Sequence, residues 1–313
     1  MVDLSIVIVN WNVCDLLRRC LASLRSGCAH LSPALSAEVI VVDCASSDGS
    51  PDMVGREFPW VRLLSSDQNL GYARGTNLGA GEATGRYLLM LNPDTEVAGE
   101  ALGAMVRYLD EHPGVGAVGP QLRYPDGSLQ SSRRRFPTLA TAFFESTLLQ
   151  QWFPGNSIAQ RYYMADRPAD VAQAVDWLVG AAWMVRREAW GQAGPLDEGF
   201  FMYFEELDWC RRCRMAGWEI HYVPAAKVVH HEGKSSEQVV AARTIRFQRS
   251  KIHYFEKYYG AGWARAIRLF LLWTFALQLA EESFKWLAGR KRSLHRQRVA
   301  SYWQVLCSGL RAE

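Results

Sequence analysis

The apolar run Tyr87-Leu88-Leu89-Met90-Leu91 stops abruptly at Asn92-Pro93-Asp94-Thr95. An uninterrupted apolar run of this length reads as a strand buried on both faces, as in a parallel sheet. Pro93 has no N–H to give a sheet ladder, so the strand ends there. That leaves the Asp94 carboxylate in the crevice outside a strand's carboxyl end, where open α/β sheets take their ligands. A carboxylate so placed suits a hard cation, which in turn holds phosphate oxygens. Asn, Pro and Asp are equally the residues of a plain turn, so this feature alone leaves both readings open.

The surrounding sequence alternates strand and helix. Ser5 to Val9 is strand-like, and Asn12 is placed to cap a helix carrying Leu16, Leu17, Cys20, Leu21 and Leu24 on one face. Glu38 to Asp43 and Val61 to Leu64 are further strands, a helix follows through Ala73 to Ala83, and Leu102, Met105, Val106 and Leu109 mark another before His112-Pro113-Gly114. Such alternation implies an α/β fold with a parallel sheet and right-handed crossovers. From about 128 to 175 the chain is aromatic-rich without a clean period and reads as an insertion or loop region. Regularity returns at Val175 to Arg187, and Glu205 to Met215 reads as a helix.

Composition narrows the class. With 49% hydrophobic and 21% charged residues, the 313-residue chain can bury a full core as one large domain or two small ones. Its seven Cys are odd in number and scattered, as expected of reduced core thiols in a cytosolic protein. The N-terminal apolar segment is too short for a signal peptide, and nothing approaches the roughly 18 apolar residues of a membrane span. The net charge of +3 conceals an asymmetry, because residues 243–313 carry 14 Lys/Arg against 4 Asp/Glu. Within this basic tail the apolar segment Ile267 to Leu279, with Trp263, Trp273 and Trp286 and the cations after Gly289, suits a helix lying on a membrane surface. A helix packed on the catalytic domain or on a dimer partner is the competing expectation. Nucleic-acid binding is not expected, since no known module accompanies the charge.

Four clusters carry candidate chemistry. Asp43 through Ser50 is crowded with small hydrogen-bonding residues suited to a nucleoside, or to a capped turn. Asn69 through Gly79 combines glycines that allow close backbone approach with Arg74, a candidate phosphate contact, but it lacks the P-loop and dinucleotide glycine spacings. Glu205, Glu206 and Asp208 place three carboxylates in four residues, so repulsion is expected to raise at least one pKa into the range of a general base. Helix starts also collect acids for the macrodipole. His230 or His231, after an apolar strand, is placed to complete a metal site begun by Asp94.

In this order the clusters resemble family 2 glycosyltransferases. Ser5 to Asn12, Val41 to Ser50 and Asn69 to Gly79 resemble that family's nucleotide-binding half. Leu91-Asn92-Pro93-Asp94 resembles its Asp-x-Asp motif in the form of a rhamnosyltransferase-like branch, Phe200 to Arg212 its acceptor-side Glu-Asp motif, and His230 to Ser235 its His-x-x-Gly-x-Ser segment. The resemblance spans residues 4 to 236. It implies a GT-A fold over 1–242 (a nucleotide-sugar half, 1–120, and an acceptor half, 121–242), with 243–313 as a helical extension. It further implies Mg2+ or Mn2+, a dTDP- or UDP-sugar donor with dTDP-rhamnose the first choice, and a glycan or lipid-linked acceptor at the inner membrane face. Carried over by position, Val9, Asn10, Asp43, Ser46, Gly71, Arg74, Asn77, Asn92, Pro93 and Asp94 line the donor. Asp94 and His230 hold the metal, while Gly180, Ala181 and Trp183 meet the acceptor. Glu206 stands where the family usually has its catalytic Asp, with Glu205 and Asp208 as alternatives, and Asn92 replaces the first acid of Asp-x-Asp. Those two departures leave room for a catalytically silent sugar-nucleotide-binding protein. Cys210, Cys213 and the histidine pair leave room for a zinc protein.

Overall fold

The computed structural model describes residues 2–29, 35–231, 240–289 and 291–311. The chain forms two units: Met1–Phe136 with Tyr163–Phe201 and Glu205–Ser235, and Pro137–Tyr162 with Met202–Phe204 and Ser236–Glu313.

In the first unit, strands and helices alternate as β1 (Leu4–Asn10), α1 (Cys14–Ala29), β2 (Ala37–Cys44), α2 (Ser50–Glu57), β3 (Arg62–Ser66), α3 (Gly71–Glu82) and β4 (Tyr87–Leu91). Next come β5 (Thr95–Val97), α4 (Ala101–Glu111), β6 (Val115–Arg123) and the two-residue β7 (Arg133–Arg134). After the excursion into the second unit follow β8 (Gln173–Ala174), β9 (Trp177–Leu178), β10 (Ala182–Arg186), α8 (Arg187–Ala193), α9 (Glu205–Met215) and β11 (Glu219–His230). One sheet runs in the order β3-β2-β1-β4-β10-β6-β11-β5, with β8 beside β11, while β7 and β9 form a separate pair.

The four strands β3-β2-β1-β4 are parallel, and β10 enters antiparallel between β4 and β6. Successive strands lead from β1 to β2 and β3 on one side, and the chain then crosses back to β4 on the other. The strand order reverses between β1 and β4, which is the place where such sheets open a ligand crevice. The register brings Asn10 level with Asp43, and Ile8 level with Leu91. All of β4 is buried, as its apolar run requires. One face of the sheet packs Leu4, Ile6 and Ile8 against Leu17, Leu21 and Leu24 of α1 and against Leu102, Met105 and Leu109 of α4. Each such side chain contributes about 1.5–3 kcal/mol on burial.

The cap of α1 differs from expectation. Asn12 sits at φ 53° and its Oδ1 accepts the Ser47 N–H (2.7 Å), while the Cys14 N–H at the helix start donates to Asp48 Oδ2 (2.7 Å). A cap drawn from 34 residues away leaves no local sequence signature.

In the second unit, the stretch expected to be irregular contains α5 (Leu139–Phe144), α6 (Leu148–Trp152) and α7 (Ser157–Tyr162). The basic tail forms α10 (Val240–Tyr259), α11 (Ala261–Leu287) and α12 (Arg292–Ser308). Lys251 of α10 is buried with its Nζ donating to the Glu145 carbonyl (2.6 Å) and to Glu145 Oε2 (3.2 Å). No helix among the described residues is long and apolar enough to cross a membrane.

Candidate active site

The ends of β1 and β2 build a polar corner. Asn10 is buried and donates from Nδ2 to Asp43 Oδ1 (2.8 Å) and to Ser46 Oγ (3.2 Å). Asp43 Oδ2 accepts the Ser46 N–H (2.9 Å), and Ser46 Oγ accepts the Asn12 N–H (3.0 Å). Asn12 and Ala45 both hold positive φ to close this corner. The Asn10 Oδ1 is buried without a hydrogen bond. The corner therefore offers a fixed carboxylate and an unsatisfied amide oxygen, both acceptors, to a ligand carrying N–H or hydroxyl donors.

The glycines from 71 to 79 serve a different purpose from the expected approach to phosphate. A Cβ on Gly79 would lie 2.4 Å from Val7 Cγ1, and one on Gly75 would lie 2.8 Å from Val9 Cγ1. They are spaced four apart to let α3 press against β1. Gly71 opens α3 at φ 75°, and the Tyr72 N–H donates to the Phe201 carbonyl (2.8 Å). Asn77 is likewise committed to the scaffold: its Nδ2 donates to the Leu196 carbonyl (2.9 Å) and its Oδ1 accepts the Leu196 N–H (2.9 Å). Arg74 is exposed and lies 3.4 Å from Glu198.

At the end of β4 the Asn92 N–H donates to the Ala181 carbonyl (2.9 Å), and Pro93 is buried. The chain turns directly into β5, which runs antiparallel to β11 with Thr95 opposite His230. That pairing brings Asp94 Oδ1 to 3.4 Å from His230 Nε2. Both residues are buried, yet Asp94 Oδ1 makes no hydrogen bond. On the other edge of the ring, His230 Nδ1 meets Gln130 Oε1 at 3.0 Å. An amide oxygen only accepts, so Nδ1 carries a proton and Nε2 is the ring nitrogen turned toward Asp94. The pair fits a divalent cation with the remaining positions open.

His231 does not share this place. Its Nε2 lies 2.7 Å from Glu96 Oε1 and its N–H donates to the Asp94 carbonyl. Glu232 to Ser236 of the same motif lie outside the described residues. No group of three or more His, Cys, Asp or Glu able to hold a metal occurs among the described residues. Cys210 and Cys213 are buried along α9, and burial pushes the Cys213 thiol up to about 12. No third metal-ligating side chain joins them among the described residues.

The carboxylates at the start of α9 divide in two. Asp208 is wholly buried and accepts from Arg212 Nε (2.8 Å) one helical turn later. Arg212 also holds the Pro195 carbonyl (2.8 Å). Asp208 is thus a scaffold ion pair, and the three-carboxylate repulsion reduces to two. Glu205 and Glu206 are both buried, and each keeps one orphaned Oε2. Burial, and then the charge of Glu206, push Glu205 well above the ordinary carboxylate range. Burial raises Glu206 as well, but its Oε1 accepts the Gly180 N–H (3.1 Å), which favours the ionised form. When one proton is shared between them, Glu205 keeps it and Glu206 stays ionised. Just before them, Tyr203 and Phe204 hold φ near 70°; left-handed strain of about 1–3 kcal/mol per residue gathers at functional sites.

Gly180 joins the two halves of the site. A Cβ there would lie 3.1 Å from Glu206 Oε1, and the Gly180 carbonyl accepts from Tyr72 Oη (3.3 Å). The next residue, Ala181, holds Asn92, so Glu206 and the Asp94 turn are anchored on adjacent residues of one strand entry. Ala181 and Trp183 themselves are buried, the latter packed on Trp209 with ring centres 5.1 Å apart. The Trp183 ring has no face left for an acceptor and belongs to the core.

The model of the family described as glycosyl transferase family 2 matches residues 5–189, more than half of the chain. The chain belongs to glycosyl transferase family 2. This glycosyltransferase is 31% identical to the N-acetylglucosaminyl-diphospho-decaprenol L-rhamnosyltransferase of Mycobacterium tuberculosis, over 95% of its own length and 96% of the relative's. It is 30% identical to a rhamnosyltransferase of Escherichia coli over 46% of its own length and 52% of the relative's. Its fold matches that of a mannosyltransferase from Pyrobaculum calidifontis in complex with GDP-Man and Mn2+, at a TM-score of 0.57 and 17% identity, covering 98% of this chain and 86% of that one. The glycosyltransferase thus has the GT-A fold, with helices flanking a mostly parallel sheet and a helical C-terminal extension.

Proposed function

We propose that the protein is an inverting, metal-assisted glycosyltransferase that moves a hexose from a nucleoside-diphosphate sugar to a hydroxyl of a lipid-linked glycan during cell-envelope polysaccharide synthesis. The observation that carries the reading is the buried, unsatisfied Asp94 Oδ1 facing His230 Nε2 at 3.4 Å, anchored one residue from the strand entry that holds Glu206. The relative in Mycobacterium tuberculosis supports rhamnose as the sugar and an N-acetylglucosaminyl-diphospho-polyprenol as the acceptor.

Each residue has a task. Asp43 and Asn10 receive the base and ribose as acceptors, and the N3–H of a thymine or uracil is the donor that a carboxylate at Asp43 selects. Asp94 and His230 would hold a Mn2+ or Mg2+ ion. When bound, such an ion would supply positive charge against the departing diphosphate. Glu206 accepts the proton of the acceptor hydroxyl as the oxygen forms its bond to the anomeric carbon and the bond to the diphosphate breaks on the opposite face. Direct displacement of this kind inverts the anomeric centre. Asp208 and Asn77 hold the scaffold around these groups and touch no substrate.

The test is transfer from dTDP-rhamnose to a short-chain polyprenyl-diphospho-N-acetylglucosamine, with the product anomer read by NMR. An inverted rhamnoside supports the proposal. A retained configuration, or transfer from no dTDP- or UDP-sugar with Mn2+ present, overturns it.

A further inference from the structure

Helix α11 is apolar on two opposite faces. Its inner face buries Ala264, Ile267, Leu271 and Phe275 within the second unit, where Phe275 packs on Tyr302 of α12 with ring centres 5.9 Å apart. At 100° per residue the other face carries Leu269, Trp273, Leu277, Ala280, Phe284 and Leu287, spaced three, four or seven apart. These are exposed: Leu269 by 68%, Trp273 by 53%, Leu277 by 37%, Phe284 by 74% and Leu287 by 75%. Together they equal about three fully exposed large side chains, or roughly 600 Å² at about 200 Å² each, at the upper end for a monomer's largest patch. From Leu269 to Leu287 the stripe rises about 27 Å at 1.5 Å per residue. No packing need of the fold accounts for it, since the inner face already supplies the core contact.

The surroundings indicate what covers it. Arg265 is exposed near one end, and Lys291, Arg292 and Arg296 are exposed beyond the other. Trp263 and Trp286 are also exposed, one toward each end. Exposed cations flanking an exposed apolar face suit a bilayer surface, where anionic headgroups lie over the acyl boundary. The helix does not qualify as a span, which leaves the orientation parallel to the surface.

We infer that the outer face of α11 lies in the interface of a membrane containing anionic lipid, with its cations on the headgroups. The inference deepens the lipid-linked-acceptor reading and rests on it for its purpose. The contact itself is measured without donor or acceptor. Full-length protein is floated with vesicles of phosphatidylcholine alone and of phosphatidylcholine with phosphatidylglycerol, beside the double variant Leu269→Ser/Phe284→Ser. Wild type should float with the phosphatidylglycerol vesicles, less so at high salt and with phosphatidylcholine alone. The variant should bind about tenfold more weakly at unchanged Tm, because both positions are exposed. Wild type that floats with neither vesicle, or a variant that floats as well as wild type, overturns the inference. So does a wild-type dimer in sedimentation that the variant splits without any vesicle binding, which assigns the face to a second copy. Loss of sugar transfer with intact flotation counts against the proposed reaction and leaves the membrane contact standing.

Discussion

Replacing Glu205 by Gln isolates the electrostatics of the carboxylate pair. Glu205 is raised well above the ordinary carboxylate range by burial and by Glu206. Its folded pKa therefore exceeds its unfolded value of about 4.3, and it binds its proton more tightly in the native state. The stability it contributes is fully present below about pH 4.3 and is lost as the pH rises through the raised folded value. Gln keeps the shape and removes the titration, so Glu205→Gln should be near neutral at pH 4.5 and stabilising at pH 8. The orphaned Glu205 Oε2 sets the scale, since a buried unsatisfied polar atom costs about 1–3 kcal/mol. An amide still leaves one polar atom there, which puts the gain near 1 kcal/mol, or a rise of about 2–4 °C in Tm. Scanning fluorimetry at the two pH values measures it. A loss of stability at pH 8 refutes the reasoning, as does an equal gain at both pH values, which would show that charge is not the cause.

Glu206→Gln should lower kcat by about 10²–10⁴-fold while donor binding persists, because only proton acceptance is removed. Since burial raises Glu206, wild-type kcat/KM should climb with pH above the ordinary carboxylate range, and a flat initial-rate profile from pH 4 to 8 contradicts this. Gln130→Leu frees the His230 tautomer and should weaken Mn2+ binding about 10–100-fold by titration with electron paramagnetic resonance, with the fold intact. Gly79→Ala places a methyl 2.4 Å from Val7 Cγ1 and should cost about 1–3 kcal/mol in urea denaturation.

How much of this was legible in the sequence depended on whether the cause was local. The buried run of β4, its end at Pro93 and the alternation from β1 to α4 all follow from periodicity and from one proline. Asp43, Asp94 and the Glu205-Glu206 pair were visible because each stands at the boundary of such an element. Gln130 was not, because it reaches His230 from 100 residues away in a stretch without a period. The same holds for Asp48 as the cap of α1. The glycines of α3 misled for a related reason: spacing shows where a Cβ is missing, whereas only the fold shows that Val7 and Val9, not a phosphate, fill the space. Trp183 and Asp208 stood in plausible motif positions, yet Trp209 covers the former and Arg212 neutralises the latter.

On the proposed function, Asp94 and His230 share one divalent ion that holds the donor's diphosphate. This is measured by dTDP affinity in calorimetry, with and without Mn2+, for wild type and for His230→Ala. Mn2+ should tighten dTDP binding in wild type by at least about tenfold and have little effect in His230→Ala, while the weak metal-free affinity stays equal in both. Equal Mn2+ enhancement in the two proteins would contradict it.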